Sequence, residues 1–126
     1  MANSIVNSPN APAPIGPYSH AVQAGNTLYI SGQIALDAQS GNLINETIEA
    51  ETHQVMKNLK AILETAGMGL SDVAKCTIFV KDLNNFAKIN EIYGSYFTQN
   101  PPARETVEVS RLPKDVNVEI SAIAIK

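Results

Sequence analysis

The ten residues Val116–Ile125 alternate without a fault, and this alternation limits the fold more than any other feature of the chain. On a strand, Val116, Val118, Ile120, Ala122 and Ala124 share one side, and Asn117, Glu119, Ser121, Ile123 and Ile125 share the other. The first side is unbroken apolar surface and has to face a core. A one-residue slip would turn all of it to water, so the register of this strand is strongly specified.

The remaining periodicities place other elements around it. Pro12, Pro14, Gly16 and Pro17 mark an extended, turn-rich lead-in. Ser19–Ala24 and Thr27–Gln33 read as strands, joined at Gly25-Asn26 by a two-residue hairpin signal. Ser40-Gly41-Asn42 marks a turn within Asp37–Asn42. From Ile48 to Ala66 the period becomes helical: Val55, Leu59 and Ile62 form a stripe flanked by Met56, Leu63 and Ala66. Glu46, Glu49 and Glu51 suit the positive end of that helix, and Gly67 suits its exit. Lys75–Val80 is β-branched and aromatic, hence a strand. Phe86, Ile89, Tyr93 and Phe97 make a second helical stripe, ended by Asn100-Pro101-Pro102. Arg104–Val109 is a further strand. The order is β-β-α-β-α-β-β, an α+β chain whose two helices can cover only one face of the sheet. The other face is left to water or to another chain.

The last two strands, joined by Ser110–Asp115, read as a hairpin. Matching apolar faces sets Val109 against Val116 and Val107 against Val118. Thr106 then lies opposite Glu119 and Arg104 near Ser121, a guanidinium, a hydroxyl and a carboxylate together on the sheet face away from the helices. Ile123 and Ile125 share that face, which favours a partner subunit over open water. The bland alternative is a surface Arg–Glu pair contributing ~0–1 kcal/mol.

Charge and length narrow the function. At 126 residues the chain is one domain, spanning 1–126, too short for two independent cores. Charged residues make up only 17%, which again leaves surface for a partner. A net charge of −3 disfavours nucleic acid, whose binding draws on a basic face. Cys76 is the single cysteine, so no internal disulfide forms and a cytoplasmic location is expected. Met1–Asn10 lacks the basic and apolar regions of a secretory signal, and no stretch reaches the ~20 apolar residues of a membrane span. His20, His53 and Cys76 are too scattered for a metal site.

Several segments carry a resemblance to a known family. Pro102-Ala103-Arg104, Val107-Glu108-Val109, Leu112-Pro113-Lys114, Val118-Glu119-Ile120 and Ala122-Ile123-Ala124 closely resemble the carboxy-terminal signature of the RidA (YjgF/YER057c/UK114) family. Ala13–Ser19, Ile30-Ser31-Gly32-Gln33 and Phe79–Leu83, with Phe86 and Asn90, are similar to its other motifs, in the same order. The resemblance implies a chorismate-mutase-like fold, a single mixed sheet with two helices on one face. It also implies a homotrimer whose sheets form a central barrel with clefts between subunits. The activity it implies is hydrolysis of reactive 2-imino acids, such as 2-iminobutanoate and 2-iminopropanoate, to 2-keto acids and ammonia, without a cofactor. By this resemblance Arg104 would hold the substrate carboxylate, and Glu119 and Tyr18 would act at the reacting centre. Ser31, Gly32, Thr106 and Asn90 would complete the binding site.

The chain departs from the family pattern at three places. Thr106 stands where many members carry cysteine, which removes a thiol. Thr98–Pro102 is a short loop beside the cleft, and Ser121 replaces a common second glutamate. Two other functions stay open: an endoribonuclease or translation inhibitor, and a non-catalytic trimer that binds keto acids.

The residue types suit imine chemistry. A guanidinium grips a planar carboxylate through two parallel hydrogen bonds. A carboxylate beside the C=N carbon can orient water, take its proton, and return a proton to departing ammonia. Burial would raise the Glu119 pKa and a nearby Arg104 would lower it.

Overall fold

The computed structural model describes residues 3–126; Met1 and Ala2, part of the amino-terminal stretch read above for a signal, lie outside the described residues. Six strands form one mixed sheet: β1 (Ser4–Val6), β2 (Ala21–Ala24), β3 (Thr27–Gln33), β4 (Val73–Val80), β5 (Ala103–Glu108) and β6 (Val118–Ile125). Their spatial order is β1-β2-β3-β6-β4-β5, with only β4 and β5 parallel. Helices α1 (Ile48–Thr65) and α2 (Phe86–Ser95) pack on one face.

The α1 helix forms where the period indicates, because both ends are capped. The Thr47 hydroxyl accepts from the Ala50 amide at 3.0 Å. At the other end the Gly67 amide donates to Glu64 and the Met68 amide to Leu63, with Gly67 at φ +75°, so the last carbonyls are satisfied by a left-handed glycine exit. Val55, Met56, Leu59, Ile62 and Leu63 are buried against Leu28 and Ile30 of β3 and the apolar side of β6. Ile120 is fully buried, so truncating it to Ala would cost roughly 2–5 kcal/mol.

Strand β6 is central, as its alternation demands, but the hairpin expectation fails. Strand β4 lies between β5 and β6, pairing antiparallel with β6 and parallel with β5. The register Cys76↔Arg104, Ile78↔Thr106 and Val80↔Glu108 puts these three β5 side chains on the helix side. Val107 stands beside Phe79 on the open face, where it is exposed. The reason is that β5 is an edge strand, reached only by the border of α2. Its helix-side residues can therefore be polar and bond to α2 and the turn before it. The Glu108 carboxylate, for example, accepts from the Leu83 amide at 2.9 Å. The sequence reading also missed β1, a short strand on the other edge.

Two buried polar residues of α1 tie the layers together. Asn58 donates to the carbonyls of Ile34 and Leu36 at 3.1 and 3.0 Å. The fully buried Glu51 carboxylate accepts from the Asn117 amide (2.7 Å), the Asn117 side-chain amide (2.8 Å) and the Val118 amide (3.2 Å). It thus holds the first turn of backbone leading into β6, two residues before Glu119. Glu51→Ala strands two backbone donors and is expected to cost about 2–4 kcal/mol in urea unfolding. Glu51→Gln should cost less than half of that, because the Asn117 amide can rotate to present its oxygen.

Candidate functional site

The residues singled out from the sequence fall into two groups on opposite faces of the sheet. The first surrounds Glu119. Strand β3 pairs Ile30 with Ala122 and Gln33 with Ile120, so Ser31 and Gly32 together oppose Ser121 alone, a β-bulge. The bulge brings Gly32 against the Glu119 side chain: a Cβ on Gly32 would lie 2.8 Å from Cδ and 2.9 Å from Oε1 of Glu119. Only glycine leaves room for that carboxyl. The Ser31 hydroxyl donates to the Ser19 carbonyl at 2.7 Å and its amide to the His20 carbonyl at 2.9 Å. These bonds dock the segment bearing Tyr18 onto β3. Tyr18, Ser31, Gly32 and Glu119, with Ile15 and Pro113, line an open cleft of about 350 Å³. Burial pushes the Glu119 carboxyl above the ordinary glutamate range, and no cation pairs with it among the described residues.

The second group surrounds Arg104. Its Nη1 donates to Oδ1 of Asn90 on α2. The guanidinium carbon sits 5.2 Å from the Tyr93 ring centre and 5.5 Å from that of Phe86. Two aromatic faces and one amide therefore hold the fork, each aromatic contact contributing about 0.5–2 kcal/mol. Gly94, Phe97, Pro101 and Pro102 complete a second open cleft of about 420 Å³. The short loop Thr98–Pro102 thus supplies one wall of it. Among the described residues no carboxylate lies within ion-pair distance of Arg104, so the surface-pair alternative fails. Thr106 follows on the same side of β5, and its hydroxyl is buried with no hydrogen-bond partner among the described residues. The Tyr93 hydroxyl is in the same condition, and burial pushes it well above the usual tyrosine range. Burial likewise raises the Cys76 thiol beneath them, consistent with a core residue.

Within one chain the two groups do not meet. Arg104 and Glu119 lie two strand spacings and three residues apart, about 14 Å, and project from opposite faces. The expected cluster of Arg104, Thr106 and Glu119 on the face away from the helices is therefore corrected: only Glu119 is there. Ser121 is also on that face, opposite Thr77. Ile15, Pro113 and Tyr93 were missed as cleft residues, and Phe86 as an aromatic contact of Arg104. Phe86 and Tyr93 had a usable signal, since they lie four before and three after Asn90 on one helical stripe. Ile15 and Pro113 lie within the motifs Ala13–Ser19 and Leu112-Pro113-Lys114 that carry the family resemblance, but no periodicity marks them. Among the described residues no group of His, Cys, Asp and Glu could hold a metal ion, and no helix is long and apolar enough to cross a membrane.

Residues 8–126 match the sequence model of the family described as endoribonuclease L-PSP. The chain is similar to a RutC family protein of Pyrococcus horikoshii, 55% identical over 122 residues and 97% of each chain. It is also similar to the 2-iminobutanoate/2-iminopropanoate deaminase of Salmonella typhimurium, 48% identical over 120 residues and 93% of each chain. The crystal structure of E. coli TdcF with bound serine superposes with a TM-score of 0.94, at 40% identity and 98% coverage of each chain.

Two outcomes follow from the Glu119 cleft. A carboxyl whose folded pKa is raised contributes stability at low pH and loses it as pH rises from the ordinary glutamate range through the raised value. Glu119→Gln should therefore unfold at higher denaturant than wild type at pH 7, and lose that advantage below the ordinary glutamate range. Gly32→Ala should displace the Glu119 carboxyl while keeping the fold. The check is an unchanged far-UV spectrum with a Glu119 side-chain carbon resonance shifted and titrating differently by NMR.

Proposed function

Because the chain belongs to the RidA/YjgF family, we propose that it hydrolyses small 2-imino acids to 2-keto acids and ammonia, at clefts between the subunits of a cytoplasmic homotrimer. In this reading each chain is a single domain, and the Arg104 cleft of one protomer faces the Glu119 cleft of its partner. The observation that carries it is the Arg104 guanidinium: held by Asn90, Phe86 and Tyr93, it has no carboxylate partner among the described residues. It is a preorganised fork for a substrate carboxylate. Assembly is favoured by the helix-free face, where Ile5, Tyr29, Val107 and Ile125 are exposed. A relative named as a 2-iminobutanoate/2-iminopropanoate deaminase, 48% identical, supports the substrate class.

The chemistry follows from the residues. Arg104 grips the carboxylate, fixing the imine carbon opposite the partner's cleft, and Thr106 offers its unsatisfied hydroxyl beside it. Glu119 accepts a proton from water as the water oxygen bonds to that carbon and the C=N π pair moves to nitrogen. The protonated Glu119 then gives its proton to nitrogen. Glu119 then takes the hydroxyl proton and delivers it to the nitrogen as the C–N bond breaks, so that the C=O of the keto acid forms and ammonia leaves. A raised carboxyl pKa suits both directions of this transfer. Tyr18, Ser31 and Gly32 shape the cleft around the water. No cofactor enters the scheme.

The test generates 2-iminobutanoate in situ with threonine dehydratase and traps the remaining imine as its semicarbazone. Wild type should accelerate hydrolysis, and Arg104→Ala should lose about 100-fold or more in kcat/KM, the worth of a charge-assisted contact of ~3 kcal/mol. Arg104→Lys should fall between, since lysine keeps the charge without the fork. Equal inertness of wild type and Arg104→Ala refutes the reading, as does keto-acid binding without turnover. RNA cleavage by nuclease-free protein that is lost in Arg104→Ala would favour the ribonuclease alternative. Light scattering should give the mass of three chains.

A further inference from the structure

His20 is 98% buried beside the Glu119 cleft, and every polar atom it has is engaged. Its amide donates to Oδ1 of Asn7 at 2.9 Å, and its carbonyl accepts from the Ser31 amide at 2.9 Å. On the ring, Nδ1 accepts from the Ser8 amide at 2.9 Å and Nε2 lies 2.5 Å from the Pro12 carbonyl. An amide can only donate and a carbonyl can only accept. The imidazole is therefore the tautomer with its proton on Nε2, and it donates to Pro12.

That bond has an unusual job. The segment Pro12–Tyr18 holds prolines at 12, 14 and 17, which lack an N–H. Of its remaining donors, the Ile15 amide bonds to the Tyr18 hydroxyl (3.4 Å) and the Tyr18 amide to the Gly16 carbonyl (2.9 Å), both within the segment. Among the described residues, the His20 ring is the one hydrogen-bond partner that the segment has outside itself. The same segment carries Ile15 and Tyr18 into the Glu119 cleft. The ring also stands with Pro12, Ile15, Tyr18 and Gly32 around a small adjoining cavity.

We propose that His20, through Nε2–H to the Pro12 carbonyl, is the positioning residue that sets Ile15 and Tyr18 over Glu119. The kinetic part of this inference rests on the deaminase reading above; the structural part does not. The two halves of the imidazole separate by substitution: His20→Gln keeps an N–H at the ε position, and His20→Asn keeps an acceptor at the δ position while losing the reach to Pro12.

Three measurements on the full-length chain test it. Nitrogen shifts of His20 in wild type should report a protonated Nε2 and a bare Nδ1. Hydrogen exchange at Ile15 and Tyr18, the segment's hydrogen-bonded amides, should quicken at least about tenfold in His20→Asn and little in His20→Gln, although both variants lower Tm. Where wild type hydrolyses the imine, His20→Asn should lose about tenfold or more in kcat/KM and His20→Gln less than about threefold. The proton found on Nδ1, equal exchange in the two variants, or loosened exchange in His20→Asn with wild-type kinetics would each overturn the proposal. An inert wild type would sink the deaminase reading alone, leaving the tautomer and exchange results to decide whether His20 holds the segment.

Discussion

Parallel pairing of β5 with β4 is the constraint that sets the Arg104 cleft apart from the Glu119 cleft. It makes β5 an edge strand and turns Arg104, Thr106 and Glu108 toward α2. An edge strand under the border of a helix sits at the boundary between core and solvent. A long cation can lie there with its stem on aromatic surface and its head reaching water. Phe86 and Tyr93 supply that surface, and Asn90 sets the rotation of the fork. Had β5 folded back on β6, the same arginine would have stood on one face with Glu119, diagonal to it and within reach of a long side chain.

Keeping the two charges apart leaves both halves chemically unsatisfied. Among the described residues the guanidinium has an amide partner but no anion, and the partly buried Glu119 carboxyl has no cation. In the proposed function a second chain would complete the site, a substrate carboxylate meeting the fork and water meeting Glu119. The supports are built for rigidity. Glu51 pins the backbone entering β6, the bulge at Ser31-Gly32 opens a slot for the Glu119 side chain, and Ser31 and His20 hold the proline-rich segment across it. The residues that position the site therefore lie largely beneath it.

Much of the fold was legible because its signals are local. The acidic residues Glu46, Glu49 and Glu51, the Val55–Leu63 stripe and Gly67 specify α1 to within one residue, and Gly25-Asn26 specifies the β2–β3 hairpin. The alternation in Val116–Ile125 correctly identified a strand with one buried face. The pairing of Arg104–Val109 was not legible, since V-E-V alternates identically in a hairpin and in a parallel edge strand. The site shared this fate. Tyr18, Ser31, Gly32 and Glu119 do converge, and so do Arg104, Asn90 and Thr106, but their division between two faces left no trace in spacing. Glu51 read only as an acid at the positive end of α1, and Asn58 and His20 carried no signal of their buried bonds, because nothing in a helix or loop pattern distinguishes a polar group aimed at backbone from one aimed at water.

By itself the sequence determined the two helices, five of the six strands, and which side of β6 enters the core. These follow from periodicity, caps and turn chemistry acting over a few residues. Only the tertiary structure decided which strands are neighbours, and hence that the arginine and the glutamate stand on opposite faces. Strand order depends on where the α2 crossover returns the chain to the sheet, a choice made by packing between residues far apart in sequence.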